Sequence, residues 1–280
     1  MDRKQEVRAL LALSPDEVIE RGGSRLVVCD TIDDLHERFA RDVAEEIRAN
    51  NDGDRATRLI VPVGPTGQYP ILARMVNEEK IDLSTTWFFF MDEYCDGDGR
   101  ALSADHPLSF KGASERLFFS RLEPRRLPPP EHVIVPDETN VDSISGMIEA
   151  AGGIDTCYGG IGIHGHVAFN EPEPGVAEMG PRRVALNPYT VTINAVRSHV
   201  GGNLVCYPDS AFTIGMREIL SANRIRLYCR NGTNLDWANT VLRLALFGEP
   251  GDDYPVTHIR NRSYTIVTDR DTLSSPHIRL

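Results

Sequence analysis

Short apolar runs alternate along most of the chain with longer segments in which apolar residues recur every three or four positions. The short runs predict buried strands, and the longer segments predict amphipathic helices. Strands are predicted at residues 25–30, 58–64, 85–90, 132–135, 154–158, 225–229 and 264–267. Helices are predicted at residues 31–47, 71–76, 109–122, 141–151 and 235–247.

Apolar strands that alternate with helices are typical of a parallel sheet covered on both faces. We therefore expect an α/β fold with three layers, a Rossmann-like, mostly parallel sheet with helices on both faces. The proline-rich segment 123–131 is short enough to be a loop, and the sequence contains no internal repeat. The sequence predicts a single domain over residues 1–280, with an N-terminal helical extension at residues 1–24.

The composition narrows the classes of partner. The 280 residues include 30 Lys and Arg against 41 Asp and Glu, a net charge of −11. An acidic protein repels phosphate backbones and anionic lipids, so neither nucleic acid nor a membrane is expected as a partner. Five scattered cysteines without a CxxC pair, and a charged N-terminus without an apolar signal segment, favour a cytoplasmic location.

Three unusual clusters follow predicted strands, where open parallel sheets bind ligands. The first is the loop Gly64–Pro70, between a strand and a helix. Its glycines let backbone N–H groups face an anion, and the helix N-terminus adds partial positive charge. Shape alone would also explain glycine and proline in such a turn.

The second cluster is Met91-Asp92-Glu93-Tyr94, directly after an apolar strand. A carboxylate at this place can be partly desolvated, which raises its pKa into the range useful for proton abstraction. A helix cap or a salt bridge at the edge of the sheet is the structural alternative.

The third cluster is the glycine-rich segment 159–172, which contains His164, His166 and Glu171. A dinucleotide site is excluded, because prolines rather than a helix follow the glycines. The two histidines share one face of an extended segment and could be metal ligands, with Asp92 or Glu171 as the third. Otherwise His166 is an acid/base oriented by Glu171, or both histidines are structural. We expect no metal.

Together these clusters resemble the glucosamine-6-phosphate deaminase family, whose sister branch is the 6-phosphogluconolactonases. The resemblance runs from about Arg25 to Asp271. It rests on Met91–Tyr94, on His106-Pro107-Leu108-Ser109 with Arg116–Phe119, on Gly159–Pro172 with its F-N-E-P ending, and on Ala211–Gly215. It implies a cofactor-independent enzyme that opens a sugar ring, isomerises aldose to ketose and releases ammonia.

The resemblance also implies roles for individual residues. Asp92 would move the proton between C2 and C1, and His166 would open the ring with Glu171 orienting its imidazole. His164 stands where the family has an aspartate. We expect it to be a catalytic residue as well, although its side chain departs from the family. Expected substrate contacts are Thr66, Gly67, Gln68, Glu93, Gly162 and Arg197.

The anion end departs from the family as well. The loop reads P-T-G-Q-Y-P where the family has P-T-G-G-T-P, so larger side chains are expected to narrow the cradle. The family lysine has no equivalent, since Lys111 is the last lysine, and Arg230 or Arg217 could replace it. The substrate could then be another anionic amino sugar, with a carboxylate in place of the phosphate.

Two alternative functions stay open from the sequence. One is a sugar-phosphate lactonase or hydrolase, in which His166 activates water and Asp92 matters little. The other is a catalytically degenerate sugar-binding protein, which the exchange at His164 would suit. A DNA-binding regulator is disfavoured by the acidic charge. The family resemblance adds the expectation of a homo-oligomer.

Overall fold

The computed structural model describes residues 2–232, 235–278 and 280. In this part of the chain there are ten strands. They are β1 (Leu26–Cys29), β2 (Thr57–Val61), β3 (Thr86–Phe90), β4 (Asp92–Tyr94), β5 (Val133–Ile134), β6 (Thr156–Gly160), β7 (Arg182–Ala185), β8 (Ser210–Thr213), β9 (Arg224–Cys229) and β10 (Tyr264–Asp269).

Seven of these strands form a parallel sheet in the order β1-β10-β9-β6-β2-β3-β5. They are the seven strands that the apolar runs predict, and the α/β fold with a mostly parallel sheet is confirmed. The second strand is shorter than predicted and ends at Val61. Pro62 follows it, and proline has no N–H group to continue the ladder of hydrogen bonds.

The other three strands form a small antiparallel sheet in the order β4-β8-β7, which the sequence did not predict. Each strand has only three or four residues, and β4 begins with two acids. Such short strands lack the apolar run that identifies the others. Strand β4 starts two residues after β3 ends, so the small sheet joins the large one at its C-terminal edge.

Ten α-helices lie in the described residues. They are α1 (Arg3–Leu11), α2 (Pro15–Gly22), α3 (Ile32–Asp52), α4 (Gln68–Glu78), α5 (Phe110–Leu117), α6 (Ile144–Ala151), α7 (Pro188–Arg197), α8 (Met216–Ser221), α9 (Asn239–Phe247) and α10 (Arg270–Leu273). Helix α5 is shorter than predicted and continues as a 3₁₀ turn at Phe119–Arg121. Helix α9 begins four residues later than predicted.

The longest helix, α3, shows why the sequence folds as it does. Thr31 caps its N-terminus, accepting a hydrogen bond from the N–H of Asp34, and the Asp34 side chain bonds back to Thr31. This reciprocal cap satisfies two backbone groups that would otherwise lack partners. The predicted apolar stripe of α3, which includes Leu35 and Phe39, is buried against the sheet.

Alternate residues of the central strands divide the core into two halves. Ile60 and Phe89 point into one apolar cluster, and their neighbours Leu59 and Phe88 point into the other. Because side chains along a strand face opposite sides in turn, both faces of the sheet are buried. The rigid sheet therefore fixes the positions of the loops at its C-terminal edge.

Helices α1 and α2 precede the first strand. Arg3 of α1 donates through Nε to Asp253 at 2.8 Å, and α1 contacts α9. The assignment of one domain with an N-terminal extension stays a prediction. None of the described helices has the length and apolar character needed to cross a bilayer.

Candidate active site

A cavity of about 690 Å³ lies at the C-terminal ends of β2, β3 and β6. Its wall includes Thr66 from the first cluster, Asp92 from the second, and Gly162 and His166 from the third. Arg197 of α7 lines the same cavity. The three clusters, which lie far apart in sequence, are thus brought together at the edge of the sheet where the strand order predicts a ligand.

Asp92 is the first residue of β4 and is buried at the cavity wall. Burial raises the pKa of its carboxyl group to about 8, and the charge of the adjacent Glu93 contributes. A carboxylate is costly to desolvate, so its ionised form is a stronger base than a carboxylate in water. Asp92 is therefore suited to proton abstraction near neutral pH.

Glu93, which we expected to contact substrate, is not among the cavity-lining residues. Successive side chains of β4 face opposite ways, so Asp92 and Tyr94 face the cavity and Glu93 points away from it. Its carboxylate accepts hydrogen bonds from Ser109 Oγ at 2.8 Å and from the N–H groups of Phe110 and Lys111 at 3.0 and 2.8 Å. Glu93 therefore caps helix α5, which is the structural alternative to a role in the active site.

His166 packs tightly against the glycine-rich loop. A Cβ on Gly162 would lie only 1.9 Å from Nε2 of His166, so a side chain at residue 162 would displace the imidazole. The loop is closed by the N–H of Gly162 donating to the carbonyl of His166 at 2.9 Å. Gly162 therefore shapes the cavity wall and determines where His166 can lie.

Glu171 lies behind His166 and is shared by two imidazoles. Its Oε2 is 2.6 Å from Nε2 of His164 and 3.6 Å from Nδ1 of His166. Burial alone would raise the pKa of Glu171, but hydrogen bonds from His164 and His166 outweigh burial and hold the pKa well below its usual range. Glu171 is consequently ionised at neutral pH and can stabilise an imidazolium, although His164 takes its shorter contact.

His164, His166 and Glu171 are also the described residues that could hold a metal ion. One ligand atom from each lies within 4.8 Å of the other two. Thr190 of α7 adds a hydroxyl oxygen 3.3 Å from Nδ1 of His166. The sequence left Asp92 and Glu171 as alternative third ligands, and Glu171 is the carboxylate that lies beside both histidines.

The loop before α4 differs from the expectation. Thr66 lines the cavity, but Gln68 and Tyr69 turn beneath the loop, where Gln68 Nε2 donates to the carbonyl of Pro65 at 2.6 Å and the Tyr69 hydroxyl donates to the carbonyl of Pro62. Gly67 is not a lining residue either, and a Cβ there would lie 2.2 Å from Nδ1 of His36. The larger side chains do not narrow the cavity, because they start the buried face of α4.

Two arginines line the cavity, Arg197 at the end of α7 and Arg230 directly after β9, and the charge of Arg230 acts on His36, which lies beside Gly67 of this loop. Burial lowers the pKa of Arg197, and burial together with the charge of Arg197 lowers the pKa of Arg230 to about 10. Nε of Arg230 is buried without a partner among the described residues. Two desolvated cations that repel each other favour an anion between them.

Arg217, the other candidate for the missing lysine, is excluded from this role. Its guanidinium pairs with Glu218 at 2.9 Å and contacts Ser145, and it does not line the cavity. Of the two alternatives, Arg230 is the one that lines the cavity, and its replacement of the family lysine stays a prediction.

A group of hydroxyl and amide side chains in the cavity wall was missed by the sequence reasoning. The Tyr94 hydroxyl is 3.2 Å from that of Tyr207 and accepts from Asn194 Nδ2 at 3.1 Å, and Ser198 lies 3.2 Å from the Tyr207 hydroxyl. These contacts hold helix α7 and the residues after it against β4. No motif contained Asn194, Ser198 or Tyr207, so within this group only Tyr94, in the second cluster, carried a signal.

No protein-family model matches the chain. A Porphyromonas gingivalis protein named glucosamine-6-phosphate deaminase is 31% identical over 253 residues, which are 88% of this chain and 91% of that protein. The chain belongs to the glucosamine-6-phosphate deaminase family. A deaminase of the same name from Caenorhabditis elegans is 29% identical over 72% of this chain and 74% of that protein.

Solved structures agree with this assignment. A monomeric glucosamine-6-phosphate deaminase matches with a TM-score of 0.76 and 25% identity, covering 89% of this chain and 98% of that one. The 6-phosphogluconolactonase from Trypanosoma cruzi matches with a TM-score of 0.62 over 89% of this chain and 96% of that one, but at 15% identity it shares the fold alone. The expected deaminase-type enzyme is confirmed at the level of the family.

Proposed function

We propose that this member of the glucosamine-6-phosphate deaminase family opens the ring of an anionic amino sugar, isomerises it from aldose to ketose and releases ammonia. The observation that carries the proposal is the shared cavity of Asp92 and His166, with the carboxyl pKa of Asp92 raised to about 8 and two arginines at one end. Arg197 and Arg230 would bind the anion, while Thr66 and the N-terminus of α4 complete that end.

The first step is ring opening at His166. Its Nε2 lies on the Gly162 side of the ring, at the cavity wall, where it can give a proton to the ring oxygen. Nδ1 faces Glu171, whose negative charge stabilises the protonated imidazole before the transfer. The C1 hydroxyl gives its proton to water as the ring bond breaks, and the open-chain aldehyde forms.

The second step moves a proton between adjacent carbons. The carboxylate of Asp92 removes the proton on C2 and returns it to C1, because both carbons lie within reach of one base. The carbonyl oxygen on C1 takes up a proton and the amine on C2 gives one up, so the product is a ketimine at C2. Water then adds to the C=N carbon, ammonia leaves, and the ketone remains, so the sum is amino sugar plus water giving ketose plus ammonia. These steps need no cofactor.

The direct test is ammonia and ketose formation from a panel of sugars. We expect turnover of an anionic amino sugar such as glucosamine 6-phosphate or a 2-amino uronic acid, and little turnover of uncharged glucosamine. Comparison of the phosphate with the carboxylate shows which anion the two arginines select. Hydrolysis of a sugar lactone without ammonia release would instead support the lactonase alternative, and tight sugar binding without any product would support the degenerate one.

Self-association of the chain is a separate proposal, which rests on the resemblance to the family. One solved relative is described as a monomeric glucosamine-6-phosphate deaminase, so the family includes at least one monomer. We propose a homo-oligomer for this chain. Light scattering coupled to gel filtration would give the mass, and a value near the 31.1 kDa of one chain would contradict the proposal.

A further inference from the structure

His164 places a second imidazole beside Glu171 and next to His166, at a position where the resemblance leads one to expect an aspartate. We propose that His164, His166 and Glu171 bind one divalent transition-metal ion of the zinc class, and that this ion inhibits the enzyme by occupying Nδ1 of His166. The inhibition, but not the binding, rests on the proposed function. In this proposal the ion is a regulator and takes no part in the reaction.

The three side chains are arranged as ligands of a single ion. Nε2 of His164 and Nδ1 of His166 both face Oε2 of Glu171, at 2.6 and 3.6 Å. The ring centroids of the two histidines are 5.2 Å apart, and the ring planes are nearly perpendicular at 79°. Two imidazoles bound to one tetrahedral zinc at ~2 Å have ring centres about 5 Å apart, so the observed spacing already fits.

Little movement is needed to admit the ion. Ligand atoms that share a tetrahedral zinc lie roughly 3.3 Å apart, so His164 Nε2 and Glu171 Oε2 must separate by less than about 1 Å. The ion would replace the proton that His164 and Glu171 now share. Thr190 Oγ1, 3.3 Å from Nδ1 of His166, or a water molecule can serve as a fourth ligand.

The donor types select the metal. Two imidazole nitrogens and one carboxylate oxygen suit zinc and its neighbours in the transition series, whereas magnesium and calcium prefer sets made only of oxygen. The three side chains are only 10–14% exposed. A buried carboxylate beside two imidazoles favours a cation as its partner.

Binding at this place would affect the proposed chemistry directly. An ion on Nδ1 of His166 keeps the remaining ring proton on Nε2 and takes over the charge of Glu171. The imidazole could no longer pass between its neutral and protonated forms, so ring opening would slow. An aspartate at residue 164 would not supply the second nitrogen ligand. Inhibition by the ion is therefore expected because residue 164 is a histidine.

The binding test uses the full-length protein after dialysis against a chelator. Isothermal titration with zinc chloride should show one equivalent bound, with protons released to the buffer because the ion replaces the shared proton. Cobalt(II) should give the intense visible absorption of a four-coordinate site. H164Q keeps a hydrogen-bonding side chain but loses the nitrogen ligand, and we expect it to weaken zinc binding at least ~10-fold.

His258 supplies a matched control, because its Nε2 also pairs with a carboxylate, Asp252, at 2.8 Å. H258Q should bind zinc as the wild type does. Equal affinities of the wild type and H164Q, or the absence of saturable binding to the wild type, would overturn the metal site. If H164Q does not fold by circular dichroism, H164N replaces it in the same comparison.

The inhibition test measures ammonia release with and without zinc. We expect zinc to inhibit the wild type and H258Q but not H164Q, and a chelator to reverse the inhibition. Zinc binding that leaves turnover unchanged would overturn the inhibitory role. Metal binding by a protein that releases no ammonia from any amino sugar would refute the proposed function while the metal site stands, so the two failures are distinguishable.

Discussion

The two ends of the cavity are built in different ways. At the end proposed for proton transfer, Asp92 lies in a strand, and His166 lies between Gly162 and Glu171. At the anion end, Arg197 and Arg230 extend from the end of a helix and from a residue after a strand, without a carboxylate partner within ion-pair distance in the described residues. Proton transfer requires the base to lie within a fraction of an ångström of its productive position, whereas a long cationic side chain can reach a bound anion from several backbone positions.

This difference explains how the anion end can depart from the family while the proton-transfer end largely keeps it. An arginine has a long side chain, so Arg230 can supply the charge of a lysine placed elsewhere. Substitutions at the two ends should therefore affect different kinetic parameters.

The largest effect is expected for D92N. Loss of a general base slows a reaction by roughly 10²–10⁴-fold, and we expect kcat to fall within that range while KM changes little. Ammonia release under saturating substrate checks this. E131Q, at an exposed acid before β5, is the control and should keep wild-type turnover. A D92N enzyme within threefold of the wild type would place the proton transfer on another residue.

A smaller effect, confined to binding, is expected for R230Q. Removal of one charge-assisted contact should raise KM for the anionic substrate roughly 10–100-fold and leave kcat within a few-fold. R217Q is the matched control, because Arg217 pairs with Glu218 outside the cavity. A fall in kcat with KM unchanged would show that the two ends are not separable in this way.

The pH profile provides a third comparison. The ionised form of Asp92 is the base, and its pKa is raised to about 8, so kcat/KM should rise roughly tenfold from pH 6 to pH 7, be half-maximal near pH 8 and level off above about pH 9. R230Q should lower kcat/KM at every pH without changing its dependence on pH. A profile already flat between pH 6 and 7 would contradict a raised pKa at Asp92.

Stability should depend on the same carboxyl group. The carboxyl of Asp92 has an ordinary pKa of 3.8 when unfolded and about 8 when folded, so the stability it contributes is fully present below pH 4 and is lost as the pH rises to 8. D92N should therefore be more stable than the wild type at pH 8, by up to about 5 kcal/mol in free energy of unfolding, and show no such gain at pH 4. Thermal denaturation at the two pH values measures this.

The sequence was sufficient for the large sheet because its strands are apolar runs with helices between them. It could not predict the small sheet, since Asp92–Tyr94 forms a strand only through pairing with the distant Ser210–Thr213. Without that strand, the opposite directions of Asp92 and Glu93 could not be deduced. The directions of the Gln68 and Tyr69 side chains were predicted wrongly for a similar reason. They depend on the rotation of α4 about its axis, which the sequence does not give.

The most direct test of the account follows the hydrogen on C2 of the substrate. With an amino sugar deuterated at C2, we expect a primary isotope effect on turnover by the wild type, loss of the label from C2, and part of the label at C1 of the ketose by NMR. D92N should show none of this transfer at a detectable rate. Label that stays on C2 in every product formed would contradict proton transfer by Asp92.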